Sequence, residues 1–159
     1  MPLKFGGETV TYVTCARCCV TVADRDGRTA QGWGETPLSV TWVWPSALGY
    51  EARHEAMKSF CEKLAEAWAG FEMFGHPMEV GQDFIDDILP GLFEQHNAGR
   101  EEPMPWLGAL VCNSLFDIAL HDAHGNLHER DIYTTYNGDW MNRSLEQYLE
   151  PATDVKVDF

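Results

Sequence analysis

A turn signal followed by a strand with two glycines constrains the fold of this chain more than any other sequence feature. Residues 9–23 are rich in β-branched and aromatic side chains, which favours a strand. An Asp-Gly turn at Gly27 follows, and residues 28–36 are expected to return as the second strand of a hairpin. Because Gly32 and Gly34 have no side chains to pack, we expect another backbone or a ligand to come close to them.

Three helices are expected after this hairpin. Residues 50–71 repeat apolar side chains at three- and four-residue steps, which is typical of an amphipathic helix. A second helix should begin at Pro77, and Pro90 should kink it or end it early. A third helix, from about Trp106 to His124, is rich in small residues that allow close packing.

The order of these elements predicts the fold class. Gly125-Asn126 is expected to close the third helix as a C-cap, and residues 37–45 fit an ordered loop as well as a strand. A hairpin followed by about three helices predicts an α+β domain over residues 1–149, with the helices packed on one face of a small antiparallel sheet. The polar residues 150–159 are expected to begin a linker.

Charge and cysteine content narrow the possible partners and the compartment. A formal net charge of −14 opposes attraction to nucleic acid and to anionic membrane surfaces, so neither partner is expected. No stretch approaches the roughly 20 apolar residues of a membrane helix, and the first residues lack the apolar core of a secretory signal. The five cysteines are odd in number and three crowd one strand, which indicates reduced thiols. We therefore expect a cytoplasmic protein.

Two segments of the chain resemble one known family. They are Gly-Trp-Gly-Glu-Thr-Pro at 32–37 and Ser-Leu-Phe-Asp-Ile-Ala-Leu-His-Asp-Ala-His-Gly at 114–125. In this order, with amphipathic helices between them, they resemble the N-terminal capping domain of the enolase superfamily, in its mandelate racemase and muconate-lactonizing branch. The resemblance implies an enolase N-terminal-domain-like fold whose first strand is missing. It also implies a (β/α)₈ barrel, which needs about 250 residues, so we expect the barrel to be absent from these 159 residues.

The resemblance also implies a reaction. Enzymes of this family abstract the proton α to a carboxylate and stabilise the enediolate on Mg²⁺, as racemases or acid-sugar dehydratases do. Their metal ligands and bases lie on the barrel. We therefore expect no catalytic residue, no metal ligand and no cofactor in this chain, and no activity without the barrel domain or subunit that would be its partner.

A capping domain of this kind shapes specificity with two loops, which the resemblance places at residues 2–7 and 36–46. Lys4 is the candidate to pair with a substrate carboxylate, with Phe5, Trp42 and Trp44 as candidates for an apolar wall. The alternatives are that the tryptophans pack on the first helix and that Lys4 is a solvated surface amine.

Other functions remain open from the sequence. The chain could be a stand-alone cap-like subunit that docks on a separate barrel chain, and an exposed sheet edge could promote a homo-oligomer. A small zinc-binding module is a further alternative, with ligands drawn from two groups of residues: Cys15, Cys18, Cys19 and His121, His124, His128. Against zinc, a strand sends adjacent cysteines to opposite faces.

Three carboxylates invite a catalytic interpretation that the sequence disfavours. Glu35, in the glycine-rich segment, has no carboxylate neighbour in sequence that would suggest acid catalysis. Asp117 and Asp122 are five apart on one helix, which predicts different faces and argues against a shared metal. We expect them to form hydrogen bonds at packed helix ends.

Overall fold

Two antiparallel hairpins and five helices succeed one another in the computed structural model, which describes residues 3–5 and 8–149, with side chains from residue 11 onward. The strands are β1 (Leu3–Phe5), β2 (Glu8–Val10), β3 (Cys15–Ala23) and β4 (Thr29–Pro37), and the helices are α1 (Val40–Val43), α2 (Tyr50–Ala69), α3 (Pro77–Asp87), α4 (Leu89–Asn97) and α5 (Trp106–His128). Short 3₁₀ turns follow at Ile132–Thr135 and Leu145–Gln147. The predicted α+β class is confirmed.

The hairpin of β3 and β4 has a continuous register from Cys15 opposite Pro37 to Ala23 opposite Thr29. In its turn the carboxylate of Asp24 accepts the backbone N–H groups of Asp26 and Arg28, while Gly27 takes a φ of 80°.

The first strand of this hairpin is shorter than predicted. It begins at Cys15 rather than at residue 9, because residues 8–10 pair with Leu3–Phe5 in a separate two-stranded sheet. Residues 11–14, which join β2 to β3, are not in a strand.

Helix α5 lies directly against β4, with glycines at the contact. A methyl group on Gly34 would overlap the carbonyl oxygen of Leu115, and one on Gly32 would lie 2.7 Å from the Cα of Ala123. The predicted close approach is therefore confirmed, and the neighbour is the backbone of α5. Because α5 runs opposite to β4, its last turns reach the tight turn of the hairpin.

The predicted amphipathic helix forms as α2, whose apolar face completes the core against α5. Met57, Phe60 and Leu64 lie on that face with no exposed surface. Burial of three large apolar side chains contributes roughly 1.5–3 kcal/mol each relative to exposure, which outweighs the modest helix propensity of the segment.

The second predicted helix is interrupted at its proline, as expected. Helix α3 ends where Ile88, with φ −110° and ψ −49°, serves both as its C-cap and as the N-cap of α4. Pro90 lies in the first turn of α4, where a missing N–H costs no helical hydrogen bond.

The predicted end of the third helix is wrong. Gly125 lies inside α5, which continues to His128 and ends with Glu129 in the left-handed conformation at φ 52°. The N–H of Arg130 donates to the carbonyl of Gly125 at 3.0 Å, which is the six-to-one bond of a Schellman motif. A methyl group on Gly125 would lie 3.0 Å from the carbonyl oxygen of Arg130, which is a tight contact.

Residues 37–45 form neither of the two structures that the sequence left open. Pro37 ends β4, and the single helical turn α1 follows. Leu38, Val40 and Val43 are 1–2% exposed, so this turn anchors the segment to the core. The predicted linker at 150–159 lies outside the described residues.

Candidate functional site

The open end of the β3–β4 hairpin carries a group of exposed apolar side chains, Tyr12, Val13 and Trp42, which we call the rim. These side chains are 65%, 44% and 51% exposed. The N–H of Leu38 donates to the carbonyl of Thr14 at 2.8 Å, so the segment before β3 is tied to the segment after β4. The rim side chains therefore project from two segments whose backbones are joined to each other.

The rim stands on a rigid base. Trp44 is 2% exposed and belongs to the core, and its carbonyl accepts a 2.5 Å hydrogen bond from the guanidinium of buried Arg53 on α2. A charge-assisted bond to a carbonyl inside the protein restricts the segment far more than a surface contact would. The rim thus presents Trp42 outward from a fixed backbone.

The structure treats the four predicted substrate-binding residues differently. Trp42 is accessible, whereas Trp44 packs in the core, as in the alternative reading of that residue. Lys4 and Phe5 lie in β1, and their side chains are outside the described part of the chain. Contact of these four residues with a substrate stays a prediction.

At the opposite end of the hairpin, four imidazoles form a histidine cluster, made of His76, His121, His124 and His128. The ring centroids of His76 and His124 are 5.2 Å apart, those of His124 and His128 are 4.5 Å apart, and those of His76 and His121 are 6.4 Å apart. Trp140 closes the cluster, 5.0 Å from His128. Three members come from consecutive turns of α5, and His76 comes from the N-terminus of α3.

His76 is held as a neutral ring by its hydrogen bonds. Its Nδ1 accepts the backbone N–H of Met78 at 3.2 Å, so the proton resides on Nε2, which lies 2.8 Å from the hydroxyl of Thr135. That hydroxyl donates in turn to the carbonyl of Ile132 at 2.5 Å. Burial, with a smaller effect of nearby His121, lowers the pKa of His76 to about 4.

The pKa of His124 is also lowered, but its ring has fewer hydrogen-bond partners in the described structure than the ring of His76. Burial, followed by the proximity of His128 and His76, lowers the pKa of His124 to about 4. Its Nδ1 is buried without a hydrogen-bond partner in the described structure. The ring borders a cleft of about 260 Å³ that also contacts Arg25, His128 and Asn142.

Glu79 fastens the chain after α5 to the start of α3. Its buried carboxylate accepts the backbone N–H groups of His76, Asn142 and Arg143 at 3.1, 2.6 and 2.7 Å, and the side-chain amide of Asn142 at 2.8 Å. Burial works to raise the pKa of Glu79, but these hydrogen bonds hold it below its usual value. Arg143 adds a bidentate pair with Asp83 at 2.5 and 2.8 Å.

The ligand set of the zinc alternative is not brought together. The thiol of Cys18 donates to the carbonyl of Leu115 at 3.3 Å, whereas the histidines of α5 lie six or more residues farther along that helix. No group of three or more histidine, cysteine or carboxylate side chains in the described residues is placed to hold a metal ion. The histidines associate with His76 and aromatic rings instead.

The three carboxylates singled out in the sequence have structural partners. Asp122 accepts the backbone N–H of Trp33 at 2.8 Å, which is the packing role expected of it. Asp117 lies on another face beside His121, and burial raises its pKa. Glu35 is exposed and lies 4.0 Å from Arg17.

Sequence reasoning missed His76 and Thr135 as members of the cluster. The available signal was local: His76 directly precedes Pro77 and lies three residues before Glu79, a pattern that marks a capped helix start. The structure forms this capping box, with the imidazole in the role of the capping oxygen. The contacts of the His76 ring with Thr135 and with His124 on α5 depend on tertiary packing, so the local sequence does not predict them.

Comparison with known proteins yields no relative. No family model, no curated protein and no solved structure matches the chain. Within residues 3–5 and 8–149, no helix combines the length and the hydropathy needed to cross a membrane.

Proposed function

We propose that this chain is the capping, substrate-specificity domain of an enolase-superfamily enzyme. One observation carries the proposal: the two segments that resemble the family pack directly on each other. Gly32 and Gly34 rest on the backbone of α5, and Asp122 of the second segment accepts the N–H of Trp33 in the first. Residues 81 to 91 positions apart in sequence thereby form one unit, which supports treating the two segments as parts of a single motif.

The rim supports a role in enclosing a substrate. A cap must exclude water and present side chains at fixed positions, since misplacement by an ångström weakens catalysis strongly. Trp42 is exposed, whereas Val43 and Trp44, which follow it in the chain, are buried. The carbonyl of Trp44 also accepts a hydrogen bond from Arg53. The proposal assigns Trp42 to the apolar wall over the substrate.

The proposed substrate is a carboxylate such as an acid sugar. Mg²⁺, held by the barrel, would stabilise the enediolate formed when the α-proton leaves. Lys4 would pair with a carboxylate oxygen of the substrate, and Phe5 would extend the apolar wall. The barrel would belong either to the same polypeptide or to a separate subunit on which this chain docks. We also propose a cytoplasmic location, which the free state of all five cysteines supports.

The test begins with the coding DNA on both sides of this segment. The barrel found there is expressed with the chain, and exchange of the substrate α-proton with D₂O is followed by NMR across a panel of acid sugars with Mg²⁺. We expect exchange only when both parts are present. A reading frame with no barrel on either side, together with no barrel-sized partner, would refute the proposal, as would turnover by the repurified chain alone.

Substitution of Trp42 then tests the rim. Trp42→Ala should raise KM about tenfold with a smaller effect on kcat, because an apolar contact of this size is worth roughly 1–3 kcal/mol. Tyr133→Ala is the matched control, since Tyr133 is 78% exposed and lies near the end of α5 that is remote from the rim. Equal KM values for Trp42→Ala and Tyr133→Ala would show that Trp42 does not contact the substrate.

A further inference from the structure

Helices α2 and α5 bring two cysteines into contact inside the core. The thiol of Cys61 lies 4.0 Å from the carbonyl oxygen of Cys112, and the thiol of Cys112 lies 3.6 Å from the carbonyl oxygen of Met57. Met57 precedes Cys61 by four residues on the same face of α2. Each thiol therefore reaches into the helical turn that carries the other cysteine, which places the two side chains next to each other.

The two thiols are not equivalent. Cys61 is partly exposed and Cys112 is fully buried. The contact with Cys112 lowers the pKa of Cys61, while the same contact and burial raise the pKa of Cys112, whose S–H donates to the carbonyl of Met57. A small oxidant from solvent therefore meets Cys61 first, with Cys112 positioned behind it as the resolving thiol.

We infer that Cys61 and Cys112 form a redox modification site, at which a peroxide converts the two thiols into a disulfide that joins α2 to α5. The thiolate of Cys61 attacks a peroxide oxygen, the O–O bond breaks and a sulfenic acid forms on Cys61. The sulfur of Cys112 then attacks the sulfur of Cys61, the S–O bond breaks and water leaves with the proton of Cys112. In total two thiols lose two electrons, and one hydrogen peroxide is reduced to two waters.

The remaining cysteines are poorer partners for Cys61. Cys18 is near enough for Cys61 to affect its titration, but burial raises the pKa of Cys18 to about 11 and its thiol donates to Leu115. Cys15 and Cys19 are exposed on β3, where they are accessible to a second molecule. The pairing of Cys61 with Cys112 is thus distinguishable from disulfides between molecules.

The experiment uses the full chain with Cys15→Ser and Cys19→Ser, which removes the two exposed thiols. The reduced protein is treated with hydrogen peroxide, alkylated with N-ethylmaleimide after unfolding, and analysed by intact mass and peptide mapping. We expect one maleimide adduct, on Cys18, in place of the three on the reduced protein, a chain about 2 Da lighter beneath that adduct, and a linked peptide pair that contains Cys61 and Cys112. Dithiothreitol before alkylation should restore three adducts. The oxidised chain should also melt several degrees higher, because the bond closes a loop between residues 51 apart.

Variants identify the pair. Cys61→Ser and Cys112→Ala should each lower the yield of the intramolecular disulfide at least tenfold, and Cys18→Ser should leave it unchanged. Cys61 is half-buried, so we expect Cys61→Ser to fold and to test the pairing even if Cys112→Ala does not fold. Alkylation of all three remaining thiols after peroxide treatment, or a linked pair that contains Cys18, would overturn the inference.

Discussion

The backbone N–H of Trp33 donates a 2.8 Å hydrogen bond to the carboxylate of Asp122, 89 residues later in the chain. This bond joins the exposed side of β4 to α5 beside the glycine contact. The bond is exposed, so removal of the carboxylate leaves the N–H of Trp33 to water and loses only the net gain of a hydrogen bond to a charged acceptor.

Replacement of Asp122 should therefore weaken the union of hairpin and helix. We expect Asp122→Ala to lower the free energy of unfolding by about 1–2 kcal/mol, measured by urea titration. Asp139→Ala, at another exposed position, should change stability by less than about 0.5 kcal/mol. Equal effects of the two substitutions would mean that the bond to Trp33 contributes nothing measurable.

Addition of one methyl group at Gly34 should cost far more than its size suggests. The new Cβ would overlap the carbonyl oxygen of Leu115, and 2.8 Å away stands the backbone nitrogen of Ala119, so the sheet and the helix must separate. We expect Gly34→Ala to destabilise the protein by about 3 kcal/mol or more. Gly91→Ala in α4 is the control, since its Cβ meets open space, and it should stabilise by about 0.5–1 kcal/mol. A neutral Gly34→Ala would contradict the contact.

Loss of the carboxylate of Glu79 should release the chain that follows α5. An amide oxygen replaces a carboxylate that accepts four hydrogen bonds, so Glu79→Gln is expected to cost about 2–3 kcal/mol. Limited trypsin digestion should then cut after Arg143 at least several-fold faster, while exposed Glu72→Gln should digest like the wild type. An unchanged cutting rate would show that Arg143 and Asp83 hold the segment without Glu79.

The histidine cluster predicts a specific pH dependence of stability. The pKa values of His76 and His124 are lowered to about 4 in the fold, so the unfolded chain binds more protons between pH 4 and 6.5. Stability should be complete above pH 6.5 and fall as pH decreases towards 4, by on the order of 2 kcal/mol for each ring.

Urea midpoints between pH 4.5 and 7 measure this dependence, and NMR of the imidazole protons assigns it. His124→Phe should flatten the slope because it removes one of three imidazoles whose pKa is lowered to about 4, the others being His76 and His96. The pKa of Glu79 is lowered in the fold, so its stabilising contribution is lost at a lower pH than the contribution of the histidines. Constant stability from pH 6.5 to 4.5, or cluster resonances that titrate near 6.5, would contradict the assignment.

Sequence reasoning recovered the features that depend on local chemistry. Gly27 marked the turn of the hairpin, and Pro90 marked the break between α3 and α4. The absence of side chains at Gly32 and Gly34 indicated a neighbouring backbone, although the partner helix could be named only from coordinates. Such features are encoded by the residue itself, so a single sequence suffices to predict them.

The failures came where long-range packing overrides local signals. Gly125 was expected to end a helix because glycine usually does so, but here the chain after α5 folds back over it. The buried Leu38, Val40 and Val43 suggested a strand or a loop, since a four-residue helical turn is too short to show its own period. The cluster around His76 depends on a contact between α3 and residues beyond α5, which no local pattern encodes.

At Gly32 and Gly34 the contact between β4 and α5 is backbone against backbone, so no side chain at these two positions can rearrange to absorb a shift. Any change in the distance between β4 and α5 at these positions must therefore move one backbone relative to the other, so the two elements should move together as one rigid unit. Adaptation of Trp42 to a new ligand would have to come from movement of α1 or of α2. Engineering for altered selectivity should therefore vary residues of these two helices and leave the contact between β4 and α5 unchanged.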